Sequence, residues 1–259
     1  MNFIARTQLG EWLAGLGALA IMAREALVSL FTLRVTWKDL LYQIYFIGIK
    51  SQSVVVITGA FTGMVLGAQT YFQFHKVMMD TATLAVVSVS MCDELGPVLT
   101  ALMVAGRVGA AIAAEIGTMR VTEQIDALRT LATHPVDYLV VPRLIAAHIA
   151  LPLLTLESIA IGIASCYLVC VHILGIDATF LWQNGMKYTH DVDVVIGVIK
   201  ALIFGGIIAM ISCYKGMTCP MGAEGVGRAT TEAVVYSSIT ILISNFFLTL
   251  VIGKLVGLL

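Results

Sequence analysis

Long stretches without charge dominate the pattern of polar and apolar positions in this sequence. Residues 51–74 and 233–253 contain no charged side chain, while 144–176 and 194–213 contain one each. A helix of about 20 apolar residues crosses the ~30 Å hydrocarbon core of a bilayer. Each of these four segments therefore predicts a transmembrane helix.

A further span is expected between residues 81 and 117. The apolar runs 81–92 and 95–106 are each too short to cross a bilayer, and Asp93-Glu94 separates them. Joined into one helix that Pro97 bends, they form the second of five predicted spans.

The N-terminal region has a different pattern. The apolar run 12–23 resembles the core of a signal peptide. However, Glu11 disrupts a basic leader, and Arg24-Glu25 ends the run before it could cross a membrane. This favours a helix within residues 1–46 that lies in the membrane interface, rather than a cleaved signal.

Composition agrees with an integral membrane protein. Of 259 residues, 59% are hydrophobic and 12% are charged, whereas a soluble domain has about 25% charged residues. The net charge of −1 provides no basic surface for nucleic acid. Because repeats and linkers are absent from the sequence, residues 1–259 are predicted to form one domain. The predicted fold is an all-α integral membrane protein with an interfacial N-terminal helix and five transmembrane helices.

Lys and Arg are unevenly divided between the two sides of such a bundle. One side has nine of them, in the segments 1–46, 115–143 and 214–233. The other side has three, in the segments 75–80, 177–193 and 254–259. Loops rich in Lys and Arg remain in the cytoplasm. The N-terminus is therefore predicted to be cytoplasmic, and the C-terminus to lie on the opposite side.

Four charged side chains fall within or at the ends of the predicted spans, where ionisable groups are costly and often functional. They are Arg107, Glu115, Glu157 and Lys200. Arg107 and Glu157 have similar depths in oppositely directed helices, so we expect them to pair as a structural brace. Glu115 is expected to reach the cytoplasmic headgroups. Lys200 is close enough to the outer end of its helix to extend to the interface, and we assign it no function.

Glu94 occupies a different level. It lies about 37 Å along the helix axis from the cytoplasmic end of its span, near the outer headgroups. An acidic side chain beside the helix-bending Pro97 has three candidate neighbours, namely a lipid headgroup, a partner protein and water. Position alone leaves these alternatives open.

Small residues follow two helical faces. Gly59, Gly63 and Gly67 form a doubled GxxxG pattern, and a second stripe of Gly and Ala covers residues 106–117. Both permit close helix packing. Packing within one chain is the favoured interpretation of the glycines, with a subunit interface or a bendable helix as alternatives.

A polar connector, residues 118–143, separates the second and third spans. Ile125, Leu128 and Leu131 recur at three-residue spacing, which indicates a short amphipathic helix. Pro135 is expected to end this helix. Such a helix either rests on the headgroups or docks into a groove of a cytoplasmic partner.

No pattern in the sequence indicates an enzyme. It has no GxxxxGK[ST] phosphate loop, no Ser/His/Asp arrangement and no His-rich metal site. The five cysteines form no CxxC pair, and Cys166 and Cys170, four residues apart on an apolar helix, are expected to pack in the core. We therefore expect neither a cofactor nor a metal in this chain.

Two motifs resemble those of a known family. Residues 94–128, ELGPVLTALMVAGRVGAAIAAEIGTMRVTEQIDAL, and residues 222–235, GAEGVGRATTEAVV, are similar to the signatures of MlaE permeases. These are the membrane subunits of MCE-type ABC lipid transporters. The resemblance implies a homodimeric permease in the bacterial inner membrane, within the system that maintains outer-membrane lipid asymmetry.

The same resemblance implies partners and site residues. The partners would be a cytoplasmic ATPase (MlaF), which binds the ATP, its STAS-domain companion (MlaB), a periplasmic MCE-domain hexamer (MlaD) and phospholipid. Some relatives have Arg before the ELGP motif where this chain has Asp93, so no cationic phosphate contact is assigned there. The lipid-binding residues would be Glu94, Leu95, Tyr71 and Leu66. The coupling helix that contacts the ATPase would cover 122–132, with Thr122, Glu123, Gln124, Asp126 and Leu128.

Two other functions fit a bundle of five spans. A secondary transporter or ion channel would use Arg107, Glu157 and Glu94 as an ion path, although Thr100 is the only hydroxyl between Glu94 and Arg107. A non-transporting anchor of an envelope complex is the third reading. A lipid permease driven by a separate ATPase is the leading prediction.

Overall fold

The computed structural model describes residues 15, 17–29 and 36–255. The parts of the expected N-terminal helix at 1–14, 16 and 30–35 lie outside the described residues, as does 256–259. Within the described part, the chain forms helices and turns and no strand, which confirms the predicted all-α fold.

Within the same part of the chain, five helical segments are long and apolar enough to cross a membrane, as predicted. They are span 1 (Trp37–Val77), span 2 (Asp80–Val121), span 3 (Val136–His172), span 4 (Asp191–Met217) and span 5 (Ala223–Leu255). Each is longer than its apolar core because the helix continues through polar residues at one or both ends.

The helices are numbered in chain order. They are α1 (residues 17–29), α2 (Trp37–Ile44), α3 (Lys50–Phe74), α4 (Thr83–Ser90), α5 (Gly96–Val104), α6 (Ala110–Val121), α7 (Gln124–Thr130), α8 (Val141–His172), α9 (Ala178–Tyr188), α10 (Asp191–Met217) and α11 (Ala223–Leu255). The connector end of the bundle is the one that holds residues 122–135, and the far end holds residues 75–82 and 173–190.

Spans 1 to 3 contain wide π-helical turns at Tyr45–Ile49, Met91–Leu95, Ala105–Gly109 and Val136–Val140. Such turns are rare in proteins and occur often at functional sites. Pro97 lies in the first turn of α5, directly after the second of them. The interruption that the sequence suggested at Asp93-Glu94 is therefore a widened turn within a continuous span.

Spans 2, 3 and 4 form the interior of the bundle, and spans 1 and 5 lie at its surface. In the most apolar 18-residue stretch of each inner span, half of the residues are buried, compared with 22% in span 1 and 11% in span 5. The outer face of span 5 presents large apolar side chains, including Ile239, Leu242 and Phe246. Surfaces of this kind match an apolar solvent such as the bilayer core.

The repeated glycines of α3 pack against α8 of the same chain. A Cβ atom on Gly59 would lie 2.8 Å from Ser158 Oγ, and one on Gly67 would lie 2.6 Å from Cys166 Sγ. At Gly63 it would collide with the backbone of Gly162. These contacts favour the predicted packing within one chain, because the glycine face is already covered by α8.

The described part of the N-terminal helix, α1, packs on the connector end. Met22 and Ala26 are buried in the main core, while Ile21, Leu27 and Val28 are exposed. A helix with one face on the protein and apolar side chains elsewhere agrees with the predicted interfacial position.

The helix α9 at the far end was not predicted, because residues 177–193 were treated as a connection. The Asp177 carboxylate begins it by accepting hydrogen bonds from the Thr179 and Phe180 N–H groups. It packs across α4, where Asn184 Nδ2 donates to the Thr81 carbonyl. The first turns of span 2 are therefore held by α9 as well as by the bundle.

The connector contains one short helix, α7, as predicted. It ends at Thr130, where Ala132 adopts a left-handed conformation with φ of 56° and Thr133 N–H donates to the Leu128 carbonyl. The prediction that Pro135 ends this helix is therefore wrong. Pro135 directly precedes the π-helical turn that begins span 3, a position that proline favours because it needs no N–H donor.

Candidate functional site

A buried polar cluster joins spans 2, 4 and 5 in the half of the bundle toward the far end. Lys200 Nζ donates to Glu94 Oε1 at 2.7 Å, to the Asp93 carbonyl at 2.8 Å and to Thr249 Oγ1 at 2.9 Å. Asn245 Nδ2 donates to Glu94 Oε2 at 2.8 Å. We call Glu94, Lys200, Asn245 and Thr249 the Glu94 cluster. All three N–H donors of the ammonium group therefore have partners, one of them the Asp93 carbonyl, and both Glu94 carboxylate oxygens are bonded within the cluster.

The local sequence explains why Lys200 reaches the backbone of span 2. Pro97 has no N–H group, so the Asp93 carbonyl lacks its usual i+4 helical donor, and Lys200 supplies one. Gly197, one turn earlier on α10, allows close approach, because a Cβ atom there would collide with the Cys92 carbonyl. Pro97 and Gly197 together therefore make room for the buried lysine and provide an acceptor.

The prediction for Lys200 is wrong. Its side chain is only 1% exposed and turns into the bundle, instead of extending to the interface. Inside the protein it finds a carboxylate, a carbonyl and a hydroxyl at hydrogen-bonding distance. These partners compensate the charge without requiring the side chain to reach water. Lys200 is a residue of the site that sequence reasoning missed.

Glu94 connects this cluster to the surface. Its side chain is 36% exposed, although both of its oxygens are bonded. In the neighbouring Asp93, the Oδ1 atom is buried and has no hydrogen-bond partner among the described residues.

An open groove of about 400 Å³ lies between span 1 and the start of α5. It is lined by Phe61, Thr62, Val65, Leu66, Gln69 and Leu95. Leu66, Leu95 and Tyr71 also pack together on a second hydrophobic core near the far end. Three of the four residues expected to bind lipid are thus brought together. Glu94 directly precedes Leu95 in the chain, but its side chain bonds toward α10 and α11.

Arg107 and Glu157 do not pair with each other, so the predicted brace is corrected. Arg107 Nη1 donates to Ser51 Oγ at 2.6 Å and more weakly to the Phe46 carbonyl at 3.4 Å. Glu157 Oε1 accepts from Gln52 Nε2 at 2.8 Å. Arg107 and Glu157 do lie at similar depths, because both side chains reach the same turn of span 1. Each bonds to a residue of that turn, Ser51 or Gln52, and not to the other charge.

The predicted coupling residues form an exposed end of the connector. Thr122, Glu123, Gln124 and Asp126 are all exposed, and Asp126 forms an ion pair with Arg129 at 3.0 Å. Of the expected apolar stripe, Ile125 is buried and Leu128 is partly buried against the core, while Leu131 is 74% exposed. The helix is thus anchored by Ile125 and presents an acidic outer surface.

Two further ion pairs stabilise the connector end. Arg143, whose side chain is 5% exposed, bonds Glu115 Oε2 at 2.9 Å and the Leu139 carbonyl at 2.7 Å. Glu115 therefore pairs with span 3, and its side chain is half-exposed. Between spans 4 and 5, Lys215 bonds Glu232 at 2.8 Å and lies over the ring of Tyr236.

All five cysteines are buried, and none is in a disulfide. Cys166 and Cys170 lie 3.9 Å apart, Sγ to Sγ, on α8. Cys219 lies outside the spans, and burial raises the pKa of its thiol. Among the described residues, no group of three or more His, Cys, Asp or Glu side chains could hold a metal ion.

Comparison with protein families decides where this bundle belongs. The model of the permease MlaE family matches residues 40–251, which include spans 2 to 4, all but the outermost residues of spans 1 and 5, and the whole Glu94 cluster. The chain belongs to the MlaE permease family. The family match also bears out the resemblance read from residues 94–128 and 222–235, and it identifies a multi-pass membrane protein of the permease type.

Individual relatives of this MlaE-family chain carry related names. A probable ABC transporter permease protein of Rickettsia bellii is 47% identical over 90% of each chain. The intermembrane phospholipid transport system permease protein MlaE of Haemophilus influenzae is 35% identical over 96% of this chain and 97% of its own length. The chloroplastic protein TRIGALACTOSYLDIACYLGLYCEROL 1 of Arabidopsis thaliana is 38% identical over 88% of this chain and 65% of its own length.

Proposed function

We propose that this protein is the permease subunit of an ABC transporter that moves phospholipids between its own membrane and a periplasmic MCE-domain partner. The observation that carries the proposal is the apolar groove lined by Leu66 and Leu95. Leu95 directly follows Glu94, whose partly exposed carboxylate is fixed in position by Lys200, Asn245 and Thr249. An apolar surface next to fixed polar groups suits a molecule with acyl chains and a polar headgroup.

The relatives support lipid as the cargo. The Haemophilus influenzae relative is named for intermembrane phospholipid transport and matches this chain over nearly its whole length. We infer the same class of substrate here, with acyl chains along Leu66, Tyr71 and Leu95 and the headgroup toward Glu94. Through its partners the transporter would maintain the lipid asymmetry of the outer membrane.

Energy would come from a separate ATPase, since the sequence contains no phosphate loop. We propose that α7 is the coupling helix, with Glu123 and Asp126 on the surface that contacts this MlaF-like subunit. Its burial at Ile125 would transmit movement to the bundle, and its exposed carboxylates would contact basic residues of the ATPase. An MlaB-like STAS protein and an MlaD-like hexamer complete the proposed complex.

A second copy of this chain is part of the same proposal. Spans 1 and 5 are the least buried of the five. The groove opens at the surface between span 1 and α5, so a second copy would enclose it. We place the complex in the bacterial inner membrane with the N-terminus and connector in the cytoplasm and the C-terminus in the periplasm, from the distribution of Lys and Arg.

The alternative of an ion path has less support. A proton or ion relay needs successive polar groups across the core, and the Glu94 carboxylate is already bonded to Lys200, Asn245 and Thr249. Thr100, the hydroxyl between Glu94 and Arg107 in the chain, is buried, and its Oγ1 has no hydrogen-bond partner in the described residues.

Purification from the native membrane under mild conditions tests the proposal. The protein is expected to be recovered as a dimer, bound to an ATPase and carrying phospholipid. Glu123→Lys/Asp126→Lys is expected to abolish ATPase binding while leaving the dimer folded, with Lys76→Glu at the far end as a charge-reversal control. Recovery of a lone subunit free of lipid, with ion flux in liposomes, would favour the ion-path alternative and contradict the proposal.

A further inference from the structure

A second polar group lies on span 1, near the connector end and apart from the Glu94 cluster. Lys50 is exposed and begins α3, directly before the uncharged stretch 51–74. Its Nζ lies 5.4 Å from the ring centroid of Phe46. The guanidinium carbon of Arg107 lies 5.9 Å from the centroid of the same ring. Two cations from different spans therefore converge on one aromatic side chain.

Neither cation has an acidic partner in the described part of the chain. Among the residues that the structure describes, no carboxylate lies within ion-pair distance of Lys50 or Arg107. Within the described ranges, Arg107 bonds only to the neutral Ser51 hydroxyl and the Phe46 carbonyl, and the Glu157 carboxylate is bonded by Gln52. Contact with an aromatic ring offsets only part of the cost of a cation near hydrocarbon.

The level of these cations in the membrane identifies the missing anion. Lys50 directly precedes 24 residues that have no charge and are long enough to cross the hydrocarbon core. Its ammonium group therefore lies at the boundary between hydrocarbon and headgroups. Phospholipid phosphates are the anions present at this boundary, and basic pockets between helices bind them.

The surroundings match the rest of such a lipid. Tyr42, Tyr45 and Ile49 are exposed around the two cations. Aromatic side chains are enriched at the headgroup level, where the ring has apolar and polar neighbours. Exposed Val54 and Ile57 continue the surface along α3 into the uncharged stretch, where acyl chains would lie.

We propose that Lys50 and Arg107 bind the phosphate group of a phospholipid in the leaflet on the connector side. Arg107 is held in place by Ser51 and offers its remaining N–H donors, while the flexible Lys50 adds a second positive charge. This site is separate from the groove at Leu95, and binding there requires neither ATP nor transport. It therefore goes beyond the proposed function and does not depend on it.

Native mass spectrometry of the purified protein tests this site. A Leu95→Trp background fills the groove, so that the remaining bound lipid reports on Lys50 and Arg107. The probes are phosphatidylglycerol and a glucosyl diacylglycerol with the same acyl chains, which lacks the phosphate. Retention of one phosphatidylglycerol and loss of the glucosyl lipid is the expected result.

The decisive variant is Lys50→Gln, because Arg107 also contributes to helix packing. It is expected to weaken phosphatidylglycerol binding about tenfold, since it removes one charge-assisted hydrogen bond. Lys50→Arg is expected to retain binding, and Lys76→Gln at the far end is the matched control. Equal retention of both lipids, or unchanged binding in Lys50→Gln, would overturn the proposal.

A third arm identifies the source of the phosphate. Millimolar inorganic phosphate is expected to leave phosphatidylglycerol bound, since the acyl chains add to the affinity. Complete displacement by inorganic phosphate would overturn the assignment to a lipid. Because every arm measures binding in the absence of ATP, failure of the transport proposal would not alter these outcomes.

Discussion

Span 2 has two charged centres, Glu94 and Arg107, that differ in the charge of the groups bonded to them. Glu94 is bonded to a buried lysine and to two polar side chains of span 5. Arg107, in the Ala105–Gly109 turn of the same span, is bonded to neutral groups of span 1 and to no carboxylate among the residues that the structure describes. The Glu94 cluster is a closed ion pair, whereas Arg107 keeps a net positive charge. The first is suited to fixing helix positions, and the second to attracting an anion.

The two centres differ because only at Glu94 does the packing of the neighbouring helices bring an opposite charge into contact. Lys200 reaches Glu94 because Gly197 permits close approach and Pro97 leaves a carbonyl without its helical donor. Arg107 and Glu157 do not meet in this way, and each bonds instead to a neutral side chain of span 1, Ser51 or Gln52. Charge in a membrane span is thus compensated only where backbone packing allows a second charge to approach.

The largest expected effect on stability comes from breaking the ion pair between Lys200 and Glu94. Lys200→Met leaves the Glu94 carboxylate without its counter-charge and is expected to lower the free energy of unfolding by about 3–5 kcal/mol. The double variant Lys200→Met/Glu94→Leu removes both charges at similar volume and is expected to recover most of this loss. Unfolding in detergent micelles measures both, and equal destabilisation of the two variants would show that the charges are not coupled.

The next effect on stability concerns the α3–α8 crossing, across which Gln52 bonds Glu157. Gly63→Ala places a methyl group against the Gly162 backbone and is expected to cost about 1–3 kcal/mol of stability. Gly106→Ala is the control, since no atom lies within 4 Å of its added Cβ. A Gly63→Ala protein as stable as Gly106→Ala in thermal unfolding would contradict the observed crossing.

A smaller loss of stability is expected where Ser51 bonds Arg107. Ser51→Ala removes the shortest hydrogen bond of Arg107 and is expected to cost about 1–2 kcal/mol. Ser244→Ala is the matched control, because that hydroxyl donates only to carbonyls of its own helix. If both variants show the same chemical-unfolding midpoint, the bond between Ser51 and Arg107 contributes nothing to stability.

The smallest effect on stability is expected at the connector. Asp126 and Arg129 form an exposed pair, so Asp126→Asn is expected to change the free energy of unfolding by only about 0–1 kcal/mol. Under the proposed function, the same variant reduces ATPase activity of the assembled complex. A stable variant with impaired coupling separates the two roles, while a fully active complex would exclude Asp126 from the contact with the ATPase.

The sequence predicted most of the fold because charge-free stretches of 20 or more residues have few alternatives in a bilayer. It also located Glu94 and the α7 helix. It misplaced Lys200, since snorkelling was judged from distance along one helix, whereas the real partners come from spans 2 and 5. It missed α9 because a short amphipathic helix is not marked by hydropathy alone.

The signals for the missed cluster were present but required the topology. Pro97 indicates a free carbonyl at Asp93, and Gly197 indicates close backbone approach, yet nothing in the sequence pairs these two positions. Likewise, Asn245 and Thr249 are polar residues in the more apolar, C-terminal half of span 5. Their partner became evident only when spans 2 and 5 were placed side by side.

The central claim, that this MlaE-family protein moves phospholipid at the expense of ATP, is tested most directly by a transfer assay. The complete transporter, reconstituted in liposomes with labelled phospholipid, is mixed with its MCE-domain partner, and transfer between the two is followed with and without ATP. We predict transfer that depends on ATP and is lost in Leu95→Trp. Transfer at equal rates without ATP, or in the Leu95→Trp complex, would contradict this account.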